Sequence, residues 1–533
     1  MSSHTAHDVV ILGGGLAGLC LARQLKSERP DIRLLVLEKR AHPVREAAFK
    51  VGESTVEIAG SYFGDVLGFR GYMAEHQLPK FGLRYFFPQD GNRDITQRYE
   101  LGPVKFPPFG TFQIDRGRFE NHLFETNAGL GIDLRDRASV KSVALDASPA
   151  GVHTVTFERD GATHTASARW VVDTSGRGSI IKRQLGMRKA SGHGANAVWF
   201  RVKGRIKVDD WSTDPAWTGR EPSKNRWLST VHLMGRGYWV WLIPLASDST
   251  SVGIVADDDL HPYSTMSRYE KAVEWLEKFE PECAEYVKQS KDQLEDFLAL
   301  QHFAHSCERV FSADRWCLTG EAGVFTDPFY SPGSDFISIG NDMTAEMIGR
   351  DLDGKDIRLH AAYLNDTYLR LYEAYIKVYE NQYPIMGNAR VMSAKIAWDN
   401  ACYWGITALL FVHRKYRDIT FLKSIERLLR RFFVLHVQMQ RFFREWDRRE
   451  ASPPDLRGGT LNVIDVDFLR RLQSVLGHPL PTEDGLRRQL DDNLALLERF
   501  ATTLQAMATG PVPAQASDFA LPQEAELLES QTQ

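Results

Sequence analysis

Four consecutive apolar residues, Val9-Val10-Ile11-Leu12, open the hydrophobic pattern, and the glycine-rich stretch Gly13 to Gly18 follows at once. Apolar positions at Cys20, Leu21 and Leu25 then recur at helical spacing, and a second apolar run, Leu34 to Leu37, ends at Glu38. That order predicts a strand, a tight turn, a helix and a second strand, which together make a β-α-β unit. Between about residues 100 and 310 the pattern turns to alternation. Thr154-Val155-Thr156-Phe157 and Ala197-Val198-Trp199-Phe200 predict strands of a further sheet. In Trp239-Val240-Trp241-Leu242-Ile243-Pro244, a strand would set both indoles side by side on one face, with Val240 and Leu242 on the other. Pro244 has no ladder donor, so the strand should end or meet an edge there. Asp209 to Asn225, rich in Trp, Pro, Ser and charge, predicts a surface loop. From about residue 355 the spacing becomes helical, with helices expected over Ala361 to Ile385 and Ile419 to Arg449. The aromatic stretch Ala401 to Ile406 reads as packed helix core, with a pocket cap as the alternative. These shifts divide the chain into a module 1–354, with the further sheet at about 190–310, a helical region 355–510, and a Pro-, Ala-, Gln- and Glu-rich tail 511–533 expected to be disordered.

Composition narrows the partners. The 533 residues exceed what one core usually serves. A formal net charge of −4 gives no reason to expect nucleic acid. Five scattered cysteines without CxxC spacing argue against a disulfide framework or a zinc site, so no metal is expected, and they fit a reducing cytosol and a cytoplasmic location. The start, Met1 to His7, is polar and carries no signal-peptide pattern. The apolar run Ala401 to Val412 falls short of the roughly 20 residues of a membrane span, so no transmembrane segment is expected.

The β-α-β unit has GxGxxG chemistry. Gly13 makes the tight turn, Gly15 lets a pyrophosphate approach the backbone, and Gly18 lets helix and sheet come close. Leu16 and Ala17 open the helix whose N-terminus offers free N–H groups to phosphate. Glu38, with Lys39 beside it, is placed to accept from ribose hydroxyls. The turn leaves FAD and NAD both open. Three later segments resemble FAD monooxygenases: Phe112 to Phe119, where Arg116 would meet the flavin; Val171 to Arg177, a returning strand and turn; and Cys317 to Gly323, where Gly320 and Glu321 stand in the second FAD fingerprint, with Glu in place of the usual Asp.

With those segments in place, Trp239 to Pro244 resembles the WxWxIP signature of flavin-dependent halogenases. Phe325-Thr326-Asp327-Pro328-Phe329-Tyr330-Ser331-Pro332-Gly333 is similar to a second signature of that family, and Val51-Gly52-Glu53-Ser54-Thr55 to a third that lies beside the flavin. Lys80 follows at the family's spacing for its active-site lysine. The resemblance covers roughly residues 8 to 350. It implies an α/β fold with an FAD-binding Rossmann-type (PHBH-like) domain, a substrate-side β-sheet and a helical C-terminal region. It also implies a chemistry and a set of contacts. A separate NAD(P)H-dependent flavin reductase supplies FADH2, which gives a C4a-hydroperoxide with oxygen. A halide ion, chloride or bromide, attacks that species, and hypohalous acid reaches Lys80 beside an electron-rich aromatic of secondary-metabolite biosynthesis, free or held on an acyl carrier protein. Trp239 and Trp241 would keep substrate away from the flavin, and Gly52, Glu53, Ser54, Pro328 and Gly333 would complete the FAD contacts. An ordinary lysine is an ammonium at neutral pH, able to donate to hypohalous acid; a lowered pKa would make a haloamine the alternative carrier.

Two positions depart from the family pattern. Tyr330 stands where tryptophan halogenases carry a glutamate, which points to a phenol or pyrrole rather than free tryptophan. Pro332 has no N–H at a position where the family's backbone binds halide, leaving Gly333 and Ser334 as donors. An aromatic hydroxylase and a non-catalytic flavin-binding partner of a biosynthetic complex stay open as alternatives. Arg427, Arg430, Arg431, Arg441, Arg444, Arg448 and Arg449 read as a solvated helix face, with a dock for an acidic carrier protein or an anionic membrane surface as the functional alternative.

Overall fold

The apolar run at 9–12 lies within the strand Ala6–Leu12, whose Val9 to Leu12 are fully enclosed. In this computed structural model, which describes residues 6–47, 51–148, 151–450, 455–462, 465–478, 480 and 482–509, that strand is central to the first sheet. The strand order is Phe311–Ser312, Trp316–Leu318, Ala162–Asp173, Ala6–Leu12, Leu34–Leu37 and Asp133–Arg135. Pairing is parallel throughout except at the Phe311–Ser312 edge. The helix Leu16–Glu28 leaves directly from the glycine turn. The expected strand at Thr154 to Phe157 exists, within His153–Arg159, but it extends this first sheet by pairing antiparallel with Ala162–Asp173. Its alternation identified a half-exposed strand and carried no information about which sheet would accept it.

The second sheet orders Leu294–Leu300, Ala195–Lys203, Ser249–Asp257, Tyr238–Leu245, Thr230–Gly235, Leu83–Phe87, Tyr99–Leu101 and Thr460–Leu461. It therefore takes three strands from outside residues 190–310, one of them from the helical region. Both of its faces are buried. Trp239, Trp241 and Ile243 join the core shared with the first sheet, while Tyr238, Val240 and Leu242 join a separate core on the far face. The strand continues one residue past Pro244, which pairs with Thr250. Pairing with Thr230–Gly235 has already stopped at Leu242, so the proline occupies a stretch with one free edge. Trp241 stands opposite Gly253, and a Cβ there would fall 2.2 Å from its indole.

Asp209 to Asn225 is not an open loop. It forms two short turns, Val208–Trp211 and Pro215–Arg220, with Trp217 fully buried beneath Arg226, whose guanidinium carbon lies 3.9 Å from the indole centroid. The helical part begins earlier than expected, with Gly333–Leu352. It continues through Arg358–Lys377, Ala389–Cys402, Glu426–Arg449 and Glu483–Met507. The helix expected from Ile419 breaks after Ser424 and restarts at Glu426. On Glu426–Arg449, Arg430 pairs with Glu426 and Arg431 with Glu498, each at 2.7 Å. Among the described residues no helix is long and apolar enough to cross a membrane. The tail 511–533 lies outside the described residues.

The Gly253 contact generates a prediction. Gly253→Ala forces Trp241 to move and is expected to lower stability by about 1–3 kcal/mol in urea unfolding; an unchanged midpoint would show that the indole has room to shift.

Candidate functional site

Two cavities meet between the sheets and the helices. The first, of about 520 Å³, is lined at one end by Gly13, Gly14, Gly15, Leu16 and Ala17 with Glu38 and Lys39. The three motif glycines differ in what surrounds them. A Cβ at Gly13, where φ is +117°, would meet Thr174 O at 2.7 Å, and one at Gly18 would meet Gly13 O at 2.0 Å. At Gly15 nothing lies within 4 Å, so this residue opens onto the cavity. Gly18 is buried in the helix and does not line the cavity. The Glu38 carboxylate accepts from Gly14 N at 2.7 Å and from Arg40 N at 2.8 Å, which ties the end of the second strand to the turn.

The middle of this cavity is lined by Gly52, Glu53, Ser54, Arg116, Gly320 and Glu321. Burial raises the Glu321 carboxyl, against the pull of Arg177 and then Arg116. Arg116 donates to Glu120 at 2.9 Å and to Val51 O. The Glu53 carboxylate is held by Arg201 at 2.6 Å, and Arg201 also binds Asp296 at 2.6 Å. Glu53 therefore spends its charge on the second sheet.

Trp239 and Trp241 line the far end, with ring centroids 5.6 Å apart, near Pro328, Gly333 and Ser334. Trp239 Nε1 donates to Tyr383 Oη at 3.0 Å, and the Tyr383 hydroxyl donates to Asp327 Oδ2 at 2.6 Å. His193 Nε2 meets the same oxygen at 2.6 Å. Arg116 Nε and Ser334 Oγ are buried without a partner. An open glycine turn at a helix N-terminus, an acid after the second strand and these unpaired polar atoms fit a flavin dinucleotide.

The second cavity, about 140 Å³, is lined by Lys80 together with Glu57, Tyr85, Tyr330, Asp335 and Asp399 among others. Lys80 is only 2 % exposed, and its Nζ donates to Thr55 O at 2.7 Å. Burial brings its ammonium down to about 7, with Glu57 and Asp335 pulling the other way. Of the two states expected for Lys80, burial favours the lowered one: a buried ammonium with a neutral carbonyl as partner loses more hydration than it regains. Asp335 is pushed up to about 8 by burial, although it accepts from Tyr403 at 2.9 Å and Ala59 N at 3.0 Å. Glu57 Oε1 accepts from Trp404 Nε1 at 2.8 Å and Gln473 Nε2 at 2.6 Å. Cys402, Tyr403 and Trp404 line this cavity, so the aromatic stretch at 401–406 is cavity wall as well as helix core.

The partition is thin. Ser331, Gly333 and Ser334 face the first cavity while Tyr330, Pro332 and Asp335 face the second. His232 on the first side stacks on Tyr85 on the second, with centroids 4.6 Å apart. The paired indoles line the first cavity only, so the separation is shared with this stack and with Phe329, 5.2 Å from Trp239. Glu57, Asp335, Asp399, His193 and Tyr383 carried no sequence signal of their own; Asp327 lay inside a quoted motif without an assigned role.

Residues 6–263 match a family described as FAD binding domain. The flavin-dependent halogenase chlA of Dictyostelium discoideum is 28% identical over 440 residues, covering 75% of this chain and 70% of that protein. A 1H-pyrrole-2-carbonyl-(peptidyl-carrier protein) brominase of Pseudoalteromonas luteoviolacea is 26% identical, covering 67% and 80%. Among solved structures, halogenase PltM shares the fold with a TM-score of 0.63 at 16% identity, covering 92% of this chain and 96% of that one. The flavin-dependent halogenase CmlS does so at 0.55 and 21%, covering 94% and 78%.

The Tyr383 hydroxyl serves two buried partners. Tyr383→Phe leaves Trp239 N–H without its acceptor and takes one donor from Asp327, which keeps His193 and Phe329 N, and is expected to cost about 1–3 kcal/mol. Unfolding measured by tryptophan fluorescence checks this, and a loss below that range would show that the two groups find other partners.

Proposed function

We propose that this chain, as a member of the flavin-dependent halogenases, halogenates a single electron-rich aromatic ring held in the second cavity, with Lys80 as the carrier of halogen. One observation carries the reading: a buried lysine faces a ring-sized cavity that only a thin partition divides from the glycine-lined one. Gly13, Gly15, Leu16, Ala17, Glu38, Lys39, Gly52, Ser54, Arg116, Gly320, Glu321 and Pro328 would hold FAD, which a separate reductase delivers reduced. When bound, reduced FAD supplies the oxygen activation that turns halide into hypohalous acid. The N–H groups of Gly333 and Ser334, at the start of the helix Gly333–Leu352, would receive the halide. The unpaired Ser334 Oγ supports that placement, and Pro332 adds no donor.

Near neutral pH a large part of Lys80 is an amine. Its lone pair attacks the halogen of hypohalous acid, forming the N–halogen bond, while the O–halogen bond breaks and water leaves with an amine proton. The ring carbon then takes the halogen, the N–halogen electrons return to nitrogen, and nitrogen collects the ring proton. The module through residue 354 would do the oxygen chemistry, and the region 355–510 would roof the substrate. Relatives named for carrier-bound pyrroles support offering the ring both free and on a carrier protein. Pro332 favours a second reading, hydroxylation of the same ring.

One assay separates these readings: protein, FAD, a flavin reductase, NADH, oxygen and chloride or bromide with a phenol, read by mass. Halogen in the product is expected; oxygen in its place supports the hydroxylase. Lys80→Met should lower halogenation by about 10²-fold or more while flavin oxidation continues. In the wild type the halogenation rate should rise with pH through about 7, as Nζ loses its proton. A rate that falls there would make the ammonium, as a hydrogen-bond donor, the active form.

A further inference from the structure

The substrate-side cavity contains a carboxylate that the Lys80 chemistry does not use. Asp399 stands one turn after Lys395 on the helix Ala389–Cys402, is 7 % exposed and lines the cavity. Its Oδ2 accepts from Lys395 Nζ at 2.5 Å and from the Tyr330 hydroxyl at 3.0 Å, and its Oδ1 accepts from Gln440 Nε2 at 2.7 Å. A carboxylate offers about four acceptor positions, so one is left, on Oδ1. Four other polar atoms of cavity-lining residues are buried without partners: Tyr85 Oη, Tyr375 Oη, His436 Nδ1 and Gln473 Oε1. Buried polar groups are ordinarily paired, and so many unpaired around one space point to a polar occupant. The volume, about 140 Å³, is close to the roughly 150 Å³ of an engineered hole that takes one benzene ring.

We propose that Asp399 accepts the hydrogen bond of the ring's own O–H or N–H, and so selects aromatics that carry such a donor and orients them toward Lys80. This deepens the halogenase reading and rests on it for the reaction. Tyr330, at the position of the glutamate of tryptophan halogenases, donates its phenol to this carboxylate, so an acid reaches the cavity from another helix. A hydrogen bond donated to an anion draws the O–H or N–H electrons toward the ring and makes its carbons more nucleophilic. An ether or an N-alkyl ring cannot donate, and would leave the carboxylate facing an apolar group. The charged and titratable groups around Asp399 are Lys395, Tyr330, His436, Tyr85, Tyr379 and Cys402, with Arg444 beyond Lys395.

The test uses flavin-loaded protein without halide or reductant, with 4-nitrophenol and its methyl ether as probes, followed by difference absorbance. The wild type should bind the phenol as its neutral form, roughly tenfold or more tighter than the ether. Asp399→Asn keeps the shape but leaves the Lys395 cation without its anion, so the bound probe should shift to its coloured phenolate, which the ether cannot form. Retained flavin reports that the variant is folded, and the wild-type comparison of phenol with ether stands without it. Equal binding of phenol and ether, no binding of either, or the same ionisation in wild type and variant would overturn the assignment. Failure of the halogenase reading shows elsewhere, as absent product with this binding preference intact.

Discussion

A strand that is hydrogen-bonded along both edges and buried on both faces cannot turn about its axis, and Tyr238–Leu245 is in that position over most of its length. Its period of two then fixes which residues face the cofactor-side cavity. Trp239 and Trp241 look one way, Val240 and Leu242 the other, and a slip of one residue would exchange them. Gly253 leaves the space that one indole fills, and Tyr383 holds the N–H of the other. Through Tyr383 and Asp327 the strand also anchors the turn 327–332 and the helical region. The rest of the site is built out from this one orientation.

The turn 327–332 depends on that anchor. Tyr330 and Ser331 both have positive φ, +68° and +62°, a backbone state that such residues adopt at a cost. Ser331 N bonding back to Pro328 O, Asp327 held by three donors and the Tyr330 hydroxyl on Asp399 offset it. The strained geometry is what allows adjacent residues to line different cavities, so that a single stretch of backbone forms a wall one residue thick. A wall that thin separates the two cavities while leaving little distance between them.

The features legible in the sequence were those whose chemistry is local. Gly13, Gly15 and Gly18 announce a turn because each meets a constraint within its own β-α-β unit, and Trp239 and Trp241 announce a face because alternation is a property of one strand. Gly18 serves the packing expected of it and does not line the cavity, whereas Glu53 is turned toward Arg201. Contacts between distant segments were not legible. His153–Arg159 joined the other sheet, and the strand Thr460–Leu461 came from the helical region. Asp335, Glu57 and Asp399 gained their setting only when segments 276, 347 and 69 residues away supplied Ala59 N, Trp404 and Tyr330 as partners. Burial at Lys80 was invisible for the same reason, since an isolated lysine in a Pro-Lys-Phe-Gly context reads as surface.

Two buried lysines, Lys80 on the second cavity and Lys395 paired with its Asp399, differ in partner geometry. Burial lowers the Lys395 ammonium, and Asp399, which it touches directly, offsets part of that lowering. Lys80 donates to a backbone carbonyl, and the nearby Asp335 is occupied by Tyr403 and Ala59. A full opposite charge in contact compensates desolvation far better than a carbonyl dipole does. Lys395 therefore keeps an anion in contact, while Lys80 has only a carbonyl and comes down to about 7.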